Sequence, residues 1–101
     1  MILHIEDKQE FLEAIKQGKV LVDFFATWCG PCRMTAPNLE QLDKDPSFDV
    51  QIIKVDVDEA GDIAALFGIQ AIPTLIYFED GKQKNSYTGF MRVDQIIELC
   101  K

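Results

Sequence analysis

A chain of 101 residues, 48% hydrophobic, has the size of one domain and enough apolar side chains for a core without a disulfide framework or structural metal. Its 17 acids against 10 bases leave a formal charge of −7, which argues against nucleic acid or anionic membrane as partners, since both call for clustered positive charge. Three cysteines do not make a secreted scaffold, no apolar run approaches ~18 residues, and residues 1–7 lack the basic stretch of a signal peptide, so a cytoplasmic setting is expected.

Residues 2–5 read as a short first strand. Asp7 and Glu10 have the spacing of a capping box, with Phe11, Leu12 and Ile15 as an apolar stripe and Gly18 as the stop. Residues 20–26 are apolar except for Asp23, as expected of a strand covered on both faces. A helix is predicted from Cys29 to about residue 45, bent at Pro37. Residues 51–57 form a third strand, 59–67 a short helix closed by Gly68, and 74–78 a fourth strand. Asp80-Gly81 is a hairpin turn signal leading to a fifth strand near 84–88. Val93, Ile96, Ile97 and Cys100 follow the spacing of a final amphipathic helix. The order β-α-β-α-β-α-β-β-α predicts one α/β domain over 1–101, with a mixed central sheet and helices on both faces.

The chemistry concentrates at Trp28-Cys29-Gly30-Pro31-Cys32. Two thiols three positions apart, at a strand-to-helix junction, can close a disulfide. The first lies where a helix dipole and unpaired backbone N–H groups stabilise a thiolate, so reversible dithiol–disulfide exchange is the simplest reading. A zinc site usually needs four ligands, and the remaining candidates, Cys100 and His4, lie at opposite ends of the chain, so no metal is expected within one chain. A cluster bridging two chains stays open. The acidic run from Asp56 to Asp62 begins like a calcium loop but has Ala60 at its fifth position and Phe67 at its twelfth. Asp23 in its apolar strand should be buried, with its proton affinity raised by desolvation. Lys54 interrupts the third strand and is either a partner of that acid or a side chain snorkelling to water. Cys100 reads as a small core residue and His4 as a surface strand residue.

The residues Asp23-Phe24-Phe25-Ala26-Thr27-Trp28-Cys29-Gly30-Pro31-Cys32-Arg33-Met34, with Ala36-Pro37, Lys54-Val55-Asp56, Ile72-Pro73-Thr74 and Gly89, resemble the thioredoxin family over essentially the whole chain. The resemblance implies a thioredoxin fold, a mixed five-stranded central sheet flanked by four helices. It implies a protein-disulfide reductase in which an exposed Cys29 attacks a substrate disulfide and Cys32 resolves the mixed disulfide. Asp23 would accept the Cys32 proton, and Lys54 would tune Asp23. Trp28, Gly30, Pro31, Ile72, a cis Pro73 and Gly89 would form the substrate-binding surface. No tightly bound cofactor is implied; NADPH would enter only through a thioredoxin reductase-like flavoprotein. Disulfide-containing proteins would be the substrates, and the chain would act as a monomer. A thiol oxidase or isomerase, or a non-catalytic binding subunit, are the competing readings. Gly30-Pro31 favours the reducing type. Retention of both thiols with Asp23 and Pro73 disfavours pure binding. Phe25 stands where many family members have a second tryptophan, and Phe90-Met91-Arg92 is bulkier than usual.

Overall fold

Two residue patterns, one apolar on both faces and one polar throughout, decide which strands are central and which lie at the edge. The computed structural model describes residues 1–101. Its elements are β1 (Leu3–His4), α1 (Lys8–Ala14), β2 (Lys19–Phe25), α2 (Gly30–Asp43), β3 (Gln51–Asp56), α3 (Gly61–Leu66), β4 (Thr74–Glu79), β5 (Lys82–Thr88) and α4 (Val93–Leu99). The sheet order is β1-β3-β2-β4-β5. β1, β3 and β2 run parallel, whereas β2-β4 and β4-β5 pair antiparallel. The apolar β2 is the middle strand, hydrogen-bonded on both sides.

Alternation along β2 splits the core into two layers. Val20, Val22 and Phe24 face α1 and α3, packing with Phe11, Ile53, Ile63 and Phe78. Leu21 faces α2 and α4, packing with Leu39, Leu42, Tyr77 and Ile96. Asp23 has the parity of Leu21 and so points to the α2 side. The Phe67 ring joins the first layer, with its centroid 5.7, 5.8 and 5.6 Å from those of Phe11, Phe24 and Phe78.

The ends of the elements follow local chemistry. Asp7 caps α1, its carboxylate accepting the Glu10 N–H at 2.8 Å. α3 starts at Gly61 rather than at Glu59. Ala60 at the cap position has no side-chain acceptor, and the Asp56 carbonyl takes the N–H groups of Glu59 and Ala60 in a turn instead. Asp80 and Gly81 form the hairpin turn with φ of 50° and 85°, the left-handed region that this dipeptide supplies. The turn is tied to the residue just before β2. Gly18 N–H donates to the Asp80 carboxylate at 2.8 Å, and Asp80 N–H donates to the Gly18 carbonyl at 2.9 Å. β5 begins directly after the turn, two residues earlier than expected. All seven of its residues are exposed, and a bulge leaves Lys84 without an opposite number between the Tyr77–Asn85 and Phe78–Gln83 pairs. No helix is long and apolar enough to cross a membrane.

Candidate active site

β2 ends at Phe25, and the chain passes through Ala26, Thr27 and Trp28 to open α2 at Gly30. Cys29 is the N-cap of that helix, with extended backbone, and its Sγ accepts the Cys32 N–H at 3.2 Å. A sulfur therefore occupies the position where a serine or aspartate oxygen caps other helices. Pro31 sits in the first turn, where its missing N–H costs no helical bond. A Cβ built on Gly30 meets nothing within 4 Å, so the approach to the pair stays open at that point. Cys29 and Cys32 are joined as a disulfide, with Cα atoms 5.3 Å apart.

Sequence reasoning expects Cys29 to be exposed; it is only 5% exposed. The reason is the packing of its sulfur. Cys29 and Cys32 pack with Ala26 against Phe25, Val57 and Ile72. Cys29 Sγ lies 3.8 Å from the Ile72 carbonyl oxygen. The Ile72–Pro73 peptide is cis. Its segment is held by the Thr74 hydroxyl, which donates to the Ala71 carbonyl at 2.6 Å, and by Gly89 N–H, which donates to the Pro73 carbonyl at 2.7 Å. Gly89 has φ of 120°, which side-chain-bearing residues rarely adopt, so the conformation and not the space around it selects glycine there. Ile72, distant in sequence from Cys29, thus reaches the dithiol, and Gly89 braces the segment by its bond to Pro73.

Trp28 is 67% exposed, and its indole N–H donates to the Asp58 carboxylate at 2.8 Å. Sequence reasoning placed Asp58 only in an acidic stretch between a strand and a helix. Nothing in a pattern of nearby residues could have paired two side chains 30 positions apart. Phe90 adds a partly exposed ring after Gly89.

Asp23 is fully buried, and neither carboxylate oxygen has a hydrogen-bond partner in the protein. Desolvation raises its pKa to about 6, against the pull of Lys54. Lys54 lies beside Asp23 in register on β3, its ammonium 3.8 Å from the carboxylate. That separation is too long for a hydrogen bond, so Lys54 acts through its charge. The same ammonium sits 4.5 Å over the Phe25 ring. The lysine side chain is 13% exposed, so it packs and pairs instead of snorkelling freely. A mainly apolar cleft of about 300 Å³, lined by Phe25, Ala26, Cys32, Ala36 and Lys54 among others, connects the lysine to the second cysteine.

A family model described as thioredoxin matches residues 2–101. The thioredoxin of Mycoplasmoides gallisepticum is 40% identical over 99 residues, covering 97% of this chain and 98% of that protein. Those of Bacillus subtilis and Staphylococcus haemolyticus are 42% and 47% identical, covering 90% and 88% of this chain and 88% and 86% of theirs. Among solved structures, Malassezia sympodialis thioredoxin superposes with a TM-score of 0.89 at 34% identity, covering 97% of this chain and 89% of that one. The oxidised mitochondrial thioredoxin 3 of Saccharomyces cerevisiae gives 0.87 at 36% identity, with coverage of 97% and 92%. The likeness extends over sequence, fold and redox pair alike: this chain belongs to the thioredoxin family.

Proposed function

We propose that this protein-disulfide oxidoreductase works as a reductase, with Cys29 as the attacking group and Cys32 as the resolving one. The observation that carries the assignment is the position of Cys29 Sγ as the cap of α2, where the Cys32 N–H already points at it. In the reduced protein the same N–H and the helix dipole stabilise a Cys29 thiolate. That thiolate attacks one sulfur of a substrate disulfide and releases the other as a thiolate, which takes up a proton. The Cys32 thiol gives its proton to Asp23 and attacks Cys29 Sγ. The second substrate sulfur leaves as a thiolate and takes up a proton, the one held by Asp23 returns to solvent, and the Cys29–Cys32 disulfide remains. Two electrons have then passed to the substrate.

Asp23 suits the acceptor role because burial raises its proton affinity toward neutrality, and Lys54 keeps that rise in check. Trp28, Gly30, Pro31, Ile72, Pro73 and Gly89 surround the sulfurs and form the surface for an extended substrate segment, with Ile72 offering backbone pairing. The electrons return from a flavoprotein reductase that draws on NADPH, so this chain itself needs no bound cofactor. It acts as a monomer in the cytoplasm and as one domain over 1–101, the single sheet that runs through the chain supporting the one-domain reading.

Equilibration of the Cys29–Cys32 couple with dithiothreitol buffers tests the direction of flow. A strongly reducing potential is expected. A value in the range of oxidases or isomerases would move the role to making or shuffling disulfides. Cys32→Ser should trap a mixed disulfide through Cys29; trapping through the other sulfur, seen in Cys29→Ser instead, would reverse the assignment.

A further inference from the structure

Asn38 makes a contact that the dithiol chemistry does not use. Its side-chain amide donates to the Met91 carbonyl at 2.9 Å, joining α2 to the connection between β5 and α4. Met91 itself goes into the core with Leu39 and Ile96, while the Phe90 ring beside it stays partly exposed. The bond closes a circuit that starts and ends on α2. Cys29 Sγ, at the cap of that helix, lies against the Ile72 carbonyl. The Pro73 carbonyl accepts from Gly89 N–H, and the Met91 carbonyl accepts from Asn38, farther along the same helix. Phe90 is held between these last two bonds.

The sheet sets these parts side by side. β2 and β3 leave, β4 enters and β5 leaves at one end of it. Across that end come Trp28 with Asp58, past β3; the dithiol, past β2; residues 72–73, before β4; and Phe90, past β5. Trp28 and Phe90 thus flank the dithiol from opposite sides. Two strand spacings, roughly 10 Å, separate the line of β2 from that of β5, and an extended chain covers this in about three residues. On α2, Gly30, Met34 and Asn38 recur at every fourth position and share one face. The exposed Met34 side chain therefore stands on the ridge between the dithiol and the Asn38 bond.

We propose that Phe90 is a specificity-determining residue, that Asn38 is the positioning residue that holds it, and that together they select protein disulfides with a large apolar side chain within about three residues of the attacked cysteine. The inference rests on the reading of Cys29 as the attacking group and of Ile72 as the backbone partner of the substrate segment. A segment paired there has Trp28 on one flank and Phe90 with Met34 on the other. The adjacent cations are turned elsewhere, Arg33 to the Thr27 carbonyl at 3.0 Å and Arg92 to Asp94 at 3.1 Å. An aromatic or aliphatic substrate side chain buries apolar area against ring and thioether, whereas a polar one loses water there without gaining a partner. With residues 89 and 91 both tied, the ring is in place before the substrate arrives, and less ordering is left to binding.

The test uses the reduced protein and two synthetic peptides, each joined through a single cysteine to glutathione. They are identical except for Phe or Ser two residues away on both sides of that cysteine. Single-turnover rates give a ratio for each protein, which a general loss of activity does not move. The wild type should favour the Phe peptide by about tenfold. In Phe90→Ser the ratio should fall to about two, the part left to Trp28. It should fall in Asn38→Ala as well, and Asn38→Gln, which keeps an amide donor, should recover part of it. A wild-type ratio near one, or a ratio unchanged in Phe90→Ser, overturns the selection. A ratio that falls in Phe90→Ser but holds in Asn38→Ala overturns the positioning role. Hydroxyethyl disulfide, which has no flanking residues, separates this outcome from failure of the reading beneath it. A wild type that reduces it and shows a ratio near one loses the selection alone. A wild type that reduces neither it nor the peptides loses the reductase reading, and the selection with it.

Discussion

Asp23 binds its proton more tightly in the folded chain than in the unfolded one, and this fixes the sign of its effect on stability. Its folded pKa is raised to about 6 from 3.8. Between these values the native state holds the proton that the unfolded state has lost, so stability falls as pH rises through that window and stays lower above it. At ~1.4 kcal/mol per unit the loss is about 3 kcal/mol. Asp23→Asn should remove this slope, and urea unfolding at pH 4, 5, 6 and 7.5 should show the variant gaining on the wild type across the series. A parallel pair of curves would mean that Asp23 is not desolvated. The same substitution should slow disulfide reduction at neutral pH by ~10²-fold, the usual scale for a lost proton acceptor. Cys100 makes the contrasting case. Burial pushes its thiol up to about 12, so it carries almost no thiolate at neutral pH. In the reduced native protein an aromatic disulfide reagent at pH 8 should react promptly with the active-site pair only, the third thiol appearing after denaturation.

At the level of elements, the features that the sequence made legible are those written in neighbouring residues. Asp7 with Glu10 marked the start of α1, Asp80-Gly81 marked the hairpin, and the nearly continuous apolar run marked β2 as a strand covered on both faces. The active-site pair was legible for the same reason, since its chemistry lies within five consecutive residues. What could not be read depends on distant contact. The Asn38–Met91 bond joins a helix to a connection 53 residues away, and the Trp28–Asp58 hydrogen bond joins two loops. The burial of Cys29 follows from where residues 72–73 lie, which no local pattern states. α3 is short because Ala60 cannot cap it, and tertiary packing has to hold it. Phe67, just beyond its end, supplies much of that packing through three ring contacts. Phe67→Leu, which keeps most of the apolar volume but removes the edge contacts, should cost about 1–3 kcal/mol by the shift in denaturation midpoint. A cost below ~0.5 kcal/mol would show that α3 docks by area alone.

For the whole molecule, the sheet divides at β2 into a parallel half and an antiparallel half, and the redox pair sits just past the end of the strand where the halves meet. A deeply buried middle strand gives the pair a rigid base, while the segments proposed to meet substrate, at Trp28, at residues 72–73 and at Gly89, all lie outside the strands and helices. The two outer strands have a different consequence. β1 is two residues long, and β5 carries Lys82, the unpaired Lys84 and a twist at its bulge. Neither rim gives a neighbouring copy a flat row of free backbone groups to pair with, and cationic side chains on a bulged rim resist stacking of like on like. Edge-to-edge pairing of two copies of this chain is thereby disfavoured. Lys82→Val with Lys84→Val should undo this, and light scattering at high protein concentration should then rise with time while the wild type stays clear.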